Sequence, residues 1–501
     1  MRKEQTYILL ACLFAIVLAL RLYFAFASPY FSDAESYFHL RHIESIKENI
    51  FPLFYDPLSF SGRLFIFSPL FHYIFALLTS FGSPWYLTKI IPNVFAASLL
   101  LIIYFLVEYI TKNRPIALFS ACVSAFTPIY FVETVNALSP LALTIPVTFL
   151  FLLCFYRIQQ RAYATLAVFL LCFLILLSPT SLLLLFGLAA YLFLQRIYDI
   201  PSKKEEKEFI FFSLILAFWF YLLLYKRALL DHGINILWQN IPTQLIDKYY
   251  YNITIISSIY HIGIIPLLFG LIVIYYILFK QQEEQRKNIF PIVGITFVTT
   301  FCLWFKLVEW TIGILYLSIL LVILSGYGYM LFHNYILKTK IRGWSNIIFG
   351  IVFCLFILSS ILPTLYYSKE RIALTITTKE VLFLTFLPEM TQESDIILAL
   401  VDDGHYIEYF GNRKVVADSN FIQIHDTKQR LRDIETVFMT KSKTIATRIL
   451  NRYNATYIYV SPSAKRLYDI EFLPYEDNDC IALVYTGEVR LYKSTCSVKG
   501  D

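Results

Sequence analysis

The sequence predicts a polytopic α-helical membrane protein with a soluble mixed α/β domain at its C-terminal end, and three observations carry that expectation. Of 501 residues, 58% are hydrophobic, 18% aromatic and only 16% charged, with a mean hydropathy of +0.62, whereas globular chains carry about 25% charged residues. Long apolar runs recur between short loops that hold Lys and Arg. After about residue 367 the character changes and charges return. The same figures exclude a disordered or collagen-like chain. The net charge of +6 does not indicate nucleic acid, because the basic residues are spread over short loops rather than gathered on one face.

Candidate spans fall near 7–28, 87–111, 115–133, 139–156, 163–178, 180–196, 209–226, 257–279, 289–307, 310–333 and 344–366, about eleven stretches near the roughly 20 residues that cross a bilayer. The first follows Met1-Arg2-Lys3 and lacks a small-residue cleavage site, so it reads as a retained anchor with a cytoplasmic N-terminus. Alternate loops then hold Lys112 and Arg114, Arg157 and Arg161, Arg196 with Lys203, Lys204 and Lys207, Lys280 with Arg286 and Lys287, and Lys338 with Lys340 and Arg342, as the positive-inside rule requires. The apolar stretch 64–82 is interrupted by Ser68-Pro69, and counting it as a span would put Lys112 and Arg114 outside. It is assigned to a re-entrant or interfacial segment on the outer face. The loops 29–86, 134–138 and 227–256 and everything after 367 then face outward. The domains are 1–367, a transmembrane domain with the external loop 29–86, and 368–501, soluble and extracytoplasmic.

In the tail, 396–401, 457–460 and 481–485 read as buried strands, 439–453 as a helix, and Thr486-Gly487 as the turn of a hairpin into 489–493. Cys12, Cys122, Cys154, Cys172, Cys302 and Cys354 lie in apolar runs without a Cys-x-x-Cys pair and read as small buried hydrophobes. Cys480 and Cys496 form a disulfide if the tail lies outside the cytosol, or stay free thiols.

The most informative segment follows the first span. Two carboxylates, Asp33 and Glu35, sit at the mouth of a membrane helix, where they are costly unless paired. One reading has them hold a hard divalent cation through oxygen or act as a base on an acceptor. The other has Asp33 cap a helix over about 35–48, with Glu35 favouring its positive end.

The run Asp33-Ala34-Glu35-Ser36-Tyr37-Phe38-His39-Leu40-Arg41, followed by Asp56-Pro57, Gly62-Arg63 and Phe67-Ser68-Pro69-Leu70, resembles the first external loop of archaeal oligosaccharyltransferase catalytic subunits, which are GT-C glycosyltransferases. The likeness continues through Ile91-Pro92-Asn93-Val94-Phe95, Ala117-Leu118-Phe119 and Thr127-Pro128-Ile129-Tyr130. It resumes in the tail at Asp403-Gly404-His405-Tyr406-Ile407, Arg413 and Ala417, and ends at Val489-Arg490-Leu491-Tyr492-Lys493, so it covers nearly the full length. It implies a GT-C membrane protein that moves a sugar or oligosaccharide from a polyprenyl (dolichyl)-phosphate-type donor to a protein or other acceptor on the outer face. Asp33, with Glu35 beside it, would be the catalytic and metal-binding acid of the first loop, holding Mn²⁺ or Mg²⁺.

The chain also departs from that family. The acidic Asp-x-Glu motif of the second external loop corresponds to Asn136-Ala137-Leu138-Ser139-Pro140-Leu141, and both acids are missing. Glu133 either replaces them as a metal ligand or sits at the interface end of its span. The glutamate of the later loop falls near Gln239 if Pro242 aligns, with Asp231, His232 and Asp247 as alternatives. The tail motif WWDYG corresponds to Leu400-Val401-Asp402-Asp403-Gly404, without either tryptophan. Asp402, Asp403, Gly404 and His405 are candidate acceptor contacts by this resemblance, or a tight turn after a strand. Arg63, Lys226, Arg227 and Lys248 face outward and are candidates for the donor phosphate, which Arg grips through two parallel hydrogen bonds. Lys226 and Arg227 also fit snorkelling at a span end. His39 and His72 fit packed or interfacial histidines better than ligands. Two sequons, Asn252-Ile253-Thr254 and Asn454-Ala455-Thr456, fall on outward regions.

The leading reading is therefore a lipid-linked sugar transferase similar to the oligosaccharyltransferase subunit. A polyprenyl-phosphate monosaccharide transferase, which needs no WWDYG element, is the second. A non-catalytic paralogue that binds carrier lipid as a scaffold is the third, favoured by the missing second-loop acids. A transporter is disfavoured, since few charges lie mid-span and no paired broken helices are evident.

Overall fold

The computed structural model describes residues 3–233, 254–280, 283–477 and 479–496. Gln239, Pro242, Asp247, Lys248, Asn252 and Ile253 lie outside the described residues. In chain order the elements begin with α1 (Lys3–Ala25), α2 (Glu35–Asn49), β1 (Tyr55–Asp56), β2 (Arg63–Leu64), α3 (Leu70–Leu78), α4 (Pro84–Thr111), α5 (Arg114–Ala125), α6 (Pro128–Thr134), α7 (Leu141–Phe155), α8 (Arg161–Leu177), α9 (Ser181–Ile197) and α10 (Lys204–His232). Then come α11 (Ile255–Ile262), α12 (Ile264–Phe279), α13 (Glu283–Trp304), α14 (Trp310–Lys338), α15 (Ser345–Phe356), α16 (Leu362–Ala373) and α17 (Thr378–Met390). The tail adds β3 (Ile396–Leu398), α18 (Gly404–Phe410), β4 (Lys414–Val415), α19 (Thr427–Met439), α20 (Lys443–Arg452), β5 (Ala455–Val460), α21 (Pro462–Tyr468), β6 (Ile481–Thr486) and β7 (Arg490–Ser494).

The chain divides into two compact units. The first comprises Met1–Pro29, Ser68–Leu224 and Tyr249–Leu374, the second Tyr30–Phe67, Tyr225–Lys248 and Thr375–Asp501. Among the described residues, six helical stretches are long and apolar enough to cross a membrane, and α5 with α6 makes a seventh as a pair bent by 50°. Four more apolar helices, α7, α8, α9 and α12, are shorter, at 10–17 residues. Two expected spans are broken, each at an identifiable residue. The span expected over 115–133 bends where Thr127 takes an extended conformation ahead of Pro128, which disfavours helix in the residue before it. The span expected over 257–279 is two helices, because Gly263 adopts φ +94°, a conformation that costs glycine little. The first free amide of α12, at Ile264, donates to Ser359 Oγ at 3.1 Å. The stretch 64–82 yields only the nine-residue α3, too short to cross. Cys12, Cys172 and Cys354 are exposed rather than buried, since the outward face of a membrane helix is itself apolar and tolerates a small thiol.

The second unit holds a five-stranded sheet in the order β4-β3-β5-β7-β6. The strands β4, β3 and β5 run parallel, and β7 pairs antiparallel with β5 and β6. The β6–β7 hairpin is the one expected around Thr486-Gly487. The helix expected over 439–453 is α20, opened by Ser442, whose side chain accepts from the Ile445 amide. One face of the sheet buries Ile397, Ala399, Val415, Tyr457, Tyr459 and Leu491 against Val381, Leu384 and Leu387 of α17 and Ile407 of α18. Cys480 and Cys496 are joined as a disulfide.

The first-loop segment folds with this tail. The Val415 amide donates to the Leu58 carbonyl at 3.0 Å. Gln423 clamps the Ile66 backbone, accepting from its amide at 3.0 Å and donating to its carbonyl at 2.9 Å.

Candidate functional site

Asp33 lies just before α2 and is half-buried, while Glu35 is exposed in the first turn of that helix. Asp33 Oδ1 accepts from the Ser36 amide at 3.1 Å and from the Ser36 hydroxyl, which ties one carboxylate oxygen to the free amide end of the helix. Two negative charges thus sit where the helix dipole favours them. The capping geometry read from the sequence is present, and Asp33 is fixed in orientation.

Arg63 is only 6% exposed. Its guanidinium pairs with Asp418 at 3.4 Å, donates to the carbonyls of Asn420 and Ile422, and lies between the rings of Phe60 and Phe65, 4.7 and 4.5 Å from their centroids. Its donors are largely spent inside the protein. Lys226 and Arg227, on the last turns of α10, are exposed.

The stretch Asp402-Asp403-Gly404-His405 begins in a 3₁₀ turn over Val401–Asp403 and runs into α18. Asp402 is exposed and Asp403 buried. Burial lifts the Asp403 carboxyl to about 8, against a hydrogen bond from Ser461 that favours its charged form. Gly404 is required by close approach: a Cβ there would lie 2.7 Å from Asp418 Cβ and 2.8 Å from the Ala417 carbonyl. That contact seats His405 in a fully buried charge network which the sequence did not reveal. His405 Nδ1 lies 3.0 Å from Glu408 Oε2, and Nε2 lies 3.8 Å from Asp418 Oδ1 and 3.2 Å from Asn420 Nδ2. Arg41 bridges Glu408, at 3.0 Å, and Asp56, at 2.9 Å through Nη1. The Ser59 hydroxyl donates to Asp418.

Burial raises the Glu408 carboxyl to about 7 even though Arg41 opposes it. Burial works against the His405 imidazolium, yet Asp418 and Glu408 together hold it above the ordinary histidine range. Burial also opposes ionisation of Asp418, but Arg63, His405 and the Ser59 hydroxyl keep it well below the usual carboxylate range. The network is neutral with one proton shared by His405 and Glu408, on either residue, so the two titrate as a coupled pair. His405, Glu408 and Asp418 also have the donor chemistry of a metal site, with ligand atoms within 4.8 Å of one another. Both carboxylates, however, already face a guanidinium.

Glu133, in the first unit, pairs with Arg371 at 2.6 Å. Both line a cavity of about 230 Å³ with His261, Trp310 and Glu370. The second-loop residue Asn136 accepts from Lys89 Nζ at 3.1 Å, and Lys89 is 1% exposed. Beside it, Arg21 donates to Asn93 at 3.1 Å and Thr134 at 2.6 Å, and Asn93 donates to the carbonyls of Lys89 and Val135, both at 2.8 Å. A lysine and an arginine inside apolar runs were the available signal for this network. The second loop therefore does not fit a divalent metal. Its aligned positions carry no acid, Glu133 is neutralised by Arg371, and Asn136 holds an ammonium.

No protein-family profile matches the chain, and no curated protein matches it by sequence. Solved structures do. The oligosaccharyltransferase AglB from Archaeoglobus fulgidus, in complex with an inhibitory peptide and a dolichol-phosphate, aligns over 93% of this chain and 70% of its own, with a TM-score of 0.64 and 14% identity. The same enzyme with Zn and sulfate aligns over 90% and 68%, with a TM-score of 0.59 and 14% identity. ArnT from Cupriavidus metallidurans, bound to undecaprenyl phosphate, aligns over 100% of both chains, with a TM-score of 0.54 and 10% identity. At these identities it is the fold that is shared: this multi-pass membrane chain is built like the GT-C glycosyltransferases AglB and ArnT.

Proposed function

We propose that the protein is a membrane glycosyltransferase that takes a sugar or oligosaccharide from a polyprenyl-phosphate-type lipid and passes it to an acceptor at the outer face. The observation that carries this reading is the fold likeness to two proteins solved with such carriers, dolichol-phosphate in AglB and undecaprenyl phosphate in ArnT. A count of eleven crossings, which takes the bent pair and the four shorter apolar helices together with the six long stretches, supports two ends on opposite sides of the membrane, and the loop charges support a cytosolic N-terminus. The Cys480–Cys496 disulfide supports the outer side for the tail.

In this reading Asp33 and Glu35 are the acids of the reaction. Asp33, oriented by Ser36, accepts the acceptor's proton or holds its nucleophilic group in line. The exposed Lys226 and Arg227 meet the carrier phosphate, and Asp402 meets the acceptor. Arg63, Asp403 and His405 support the site from inside the second unit. Transfer of a single sugar is the second reading, supported by the full mutual coverage with ArnT and by the missing tryptophans at 400 and 401.

The test uses purified protein in lipid nanodiscs with lipid-linked sugars and a sequon peptide. Asp33→Asn keeps an oxygen for the Ser36 amide but removes the charge. Transfer is expected to fall about a hundred-fold or more with thermal stability retained. Wild-type protein that transfers nothing to peptide, lipid or water from any polyprenyl-phosphate donor would leave the scaffold paralogue as the answer.

A further inference from the structure

The end of α1, the start of α4 and the second loop meet at one buried cation. Lys89 Nζ lies 2.8 Å from the Ala25 carbonyl, 2.7 Å from the Ser28 carbonyl and 3.1 Å from Asn136 Oδ1. An ammonium has three N–H donors, so it suits a cradle of three oxygens. The cradle is built from residues far apart in sequence: two carbonyls at the close of the first span, and a side chain from the loop between α6 and α7. Trp85 and Phe26 place their rings 5.4 and 5.9 Å from the same nitrogen, a favourable cation–π arrangement. Asn136 is held from behind, since Asn93 fixes the adjacent Val135 carbonyl at 2.8 Å. All three acceptors are neutral, so they solvate the ammonium without cancelling its charge.

A buried ammonium costs several kcal/mol unless its hydration shell is replaced, and here protein oxygens replace it. Such a cluster of carbonyl and carboxamide oxygens is also what a hard divalent ion would use, given one added carboxylate. A lysine and a metal ion cannot share it.

We infer that this is a cation site filled by the chain's own lysine, and that Lys89 stands in for a divalent metal at the second loop. The inference rests on the proposed transferase reading only for its catalytic meaning; the occupancy of the cradle is a separate physical claim. Lys89 is a positioning residue that joins the first span to the second loop and supplies fixed positive charge.

The deciding measurements are metal content and thermal unfolding of the full-length protein with and without Mn²⁺, neither of which requires activity. Asn136→Asp keeps the ammonium and turns a neutral contact into an ion pair. It is expected to raise the melting temperature and to bind no additional Mn²⁺. Lys89→Ala with Asn136→Asp empties the cradle and supplies the missing acid. It is expected to gain one equivalent of Mn²⁺ and a Mn²⁺-dependent, EDTA-reversible rise in melting temperature. Wild-type protein that holds Mn²⁺ and loses it on Asn136→Leu would overturn the inference. So would Mn²⁺ uptake by Asn136→Asp alone, which also covers the case in which the double variant fails to fold. An absence of sugar transfer, with these binding results intact, would count against the transferase reading and not against the lysine-filled site.

Discussion

Asp403 is held where its charge is unwelcome, and the consequence is a sign that can be measured. Burial raises its folded-state carboxyl from the ordinary carboxylate range to about 8. Stability from this residue is therefore complete below about 4 and is lost progressively as pH climbs to about 8. Asp403→Asn is expected to flatten that part of the stability–pH curve and to raise the melting temperature at pH 8, as followed by thermal unfolding across the range. Asp418 has the opposite sign: its carboxyl is depressed, so its contribution is present above the ordinary carboxylate range and is lost as pH falls below it. Arg41→Ala should be the more damaging change, since it strands Asp56 and Glu408 in the interior. Removing one partner of a buried pair costs about 3–5 kcal/mol, which chemical denaturation would report. At this scale the sequence exposes what sits at segment ends. Asp33 and Glu35 were visible because carboxylates beside an apolar run are conspicuous. Glu408 and Asp418 were not, because each lies in ordinary mixed sequence and gains its meaning only when Gly404 brings α18 against residues 417 and 418.

Among the elements, helices were legible by composition and their interruptions by backbone chemistry. Hydropathy locates an apolar segment but does not say where it bends. The break between α11 and α12 needs Gly263, and a Cβ there would also lie 2.4 Å from Ser360 Oγ. Gly263→Ala is thus expected to lower the melting temperature, with Gly270→Ala as a comparison in which only packing and not φ is challenged. In the tail, β5, β6 and β7 were readable from short β-branched and aromatic runs. The helices α17, α18, α19 and α21 were not read from the sequence. The start of α17 is a full capping box of Thr377 and Glu380. Thr377→Ala should cost about 1 kcal/mol, again by denaturation, with no effect on the fold of the sheet.

For the molecule as a whole, the side of the membrane on which the tail lies is a chemical question with a direct readout. If the tail is extracytoplasmic, Cys480 and Cys496 should resist alkylation in intact cells until a reductant is added. Cys480→Ser should then lower stability by about 3 kcal/mol, the scale for a closed loop of this length. Free thiols at both positions in freshly isolated membranes would place the tail in the cytosol. The helical, membrane-like architecture followed from hydropathy, but the partition of the first loop did not. Segment 30–67 belongs with a domain that begins more than three hundred residues later, and no local pattern encodes such a pairing. Leu58 waits for Val415, Ile66 for Gln423, and Ser59 for Asp418. At roughly 10 residues per second on the ribosome, those partners arrive about forty seconds after the acids at 33 and 35. Newly made chains therefore pass through an interval in which the loop is made yet unfinished, and a nascent polypeptide stopped short of residue 415 would carry both acids while Leu58, Ser59 and Ile66 still lack their tail partners.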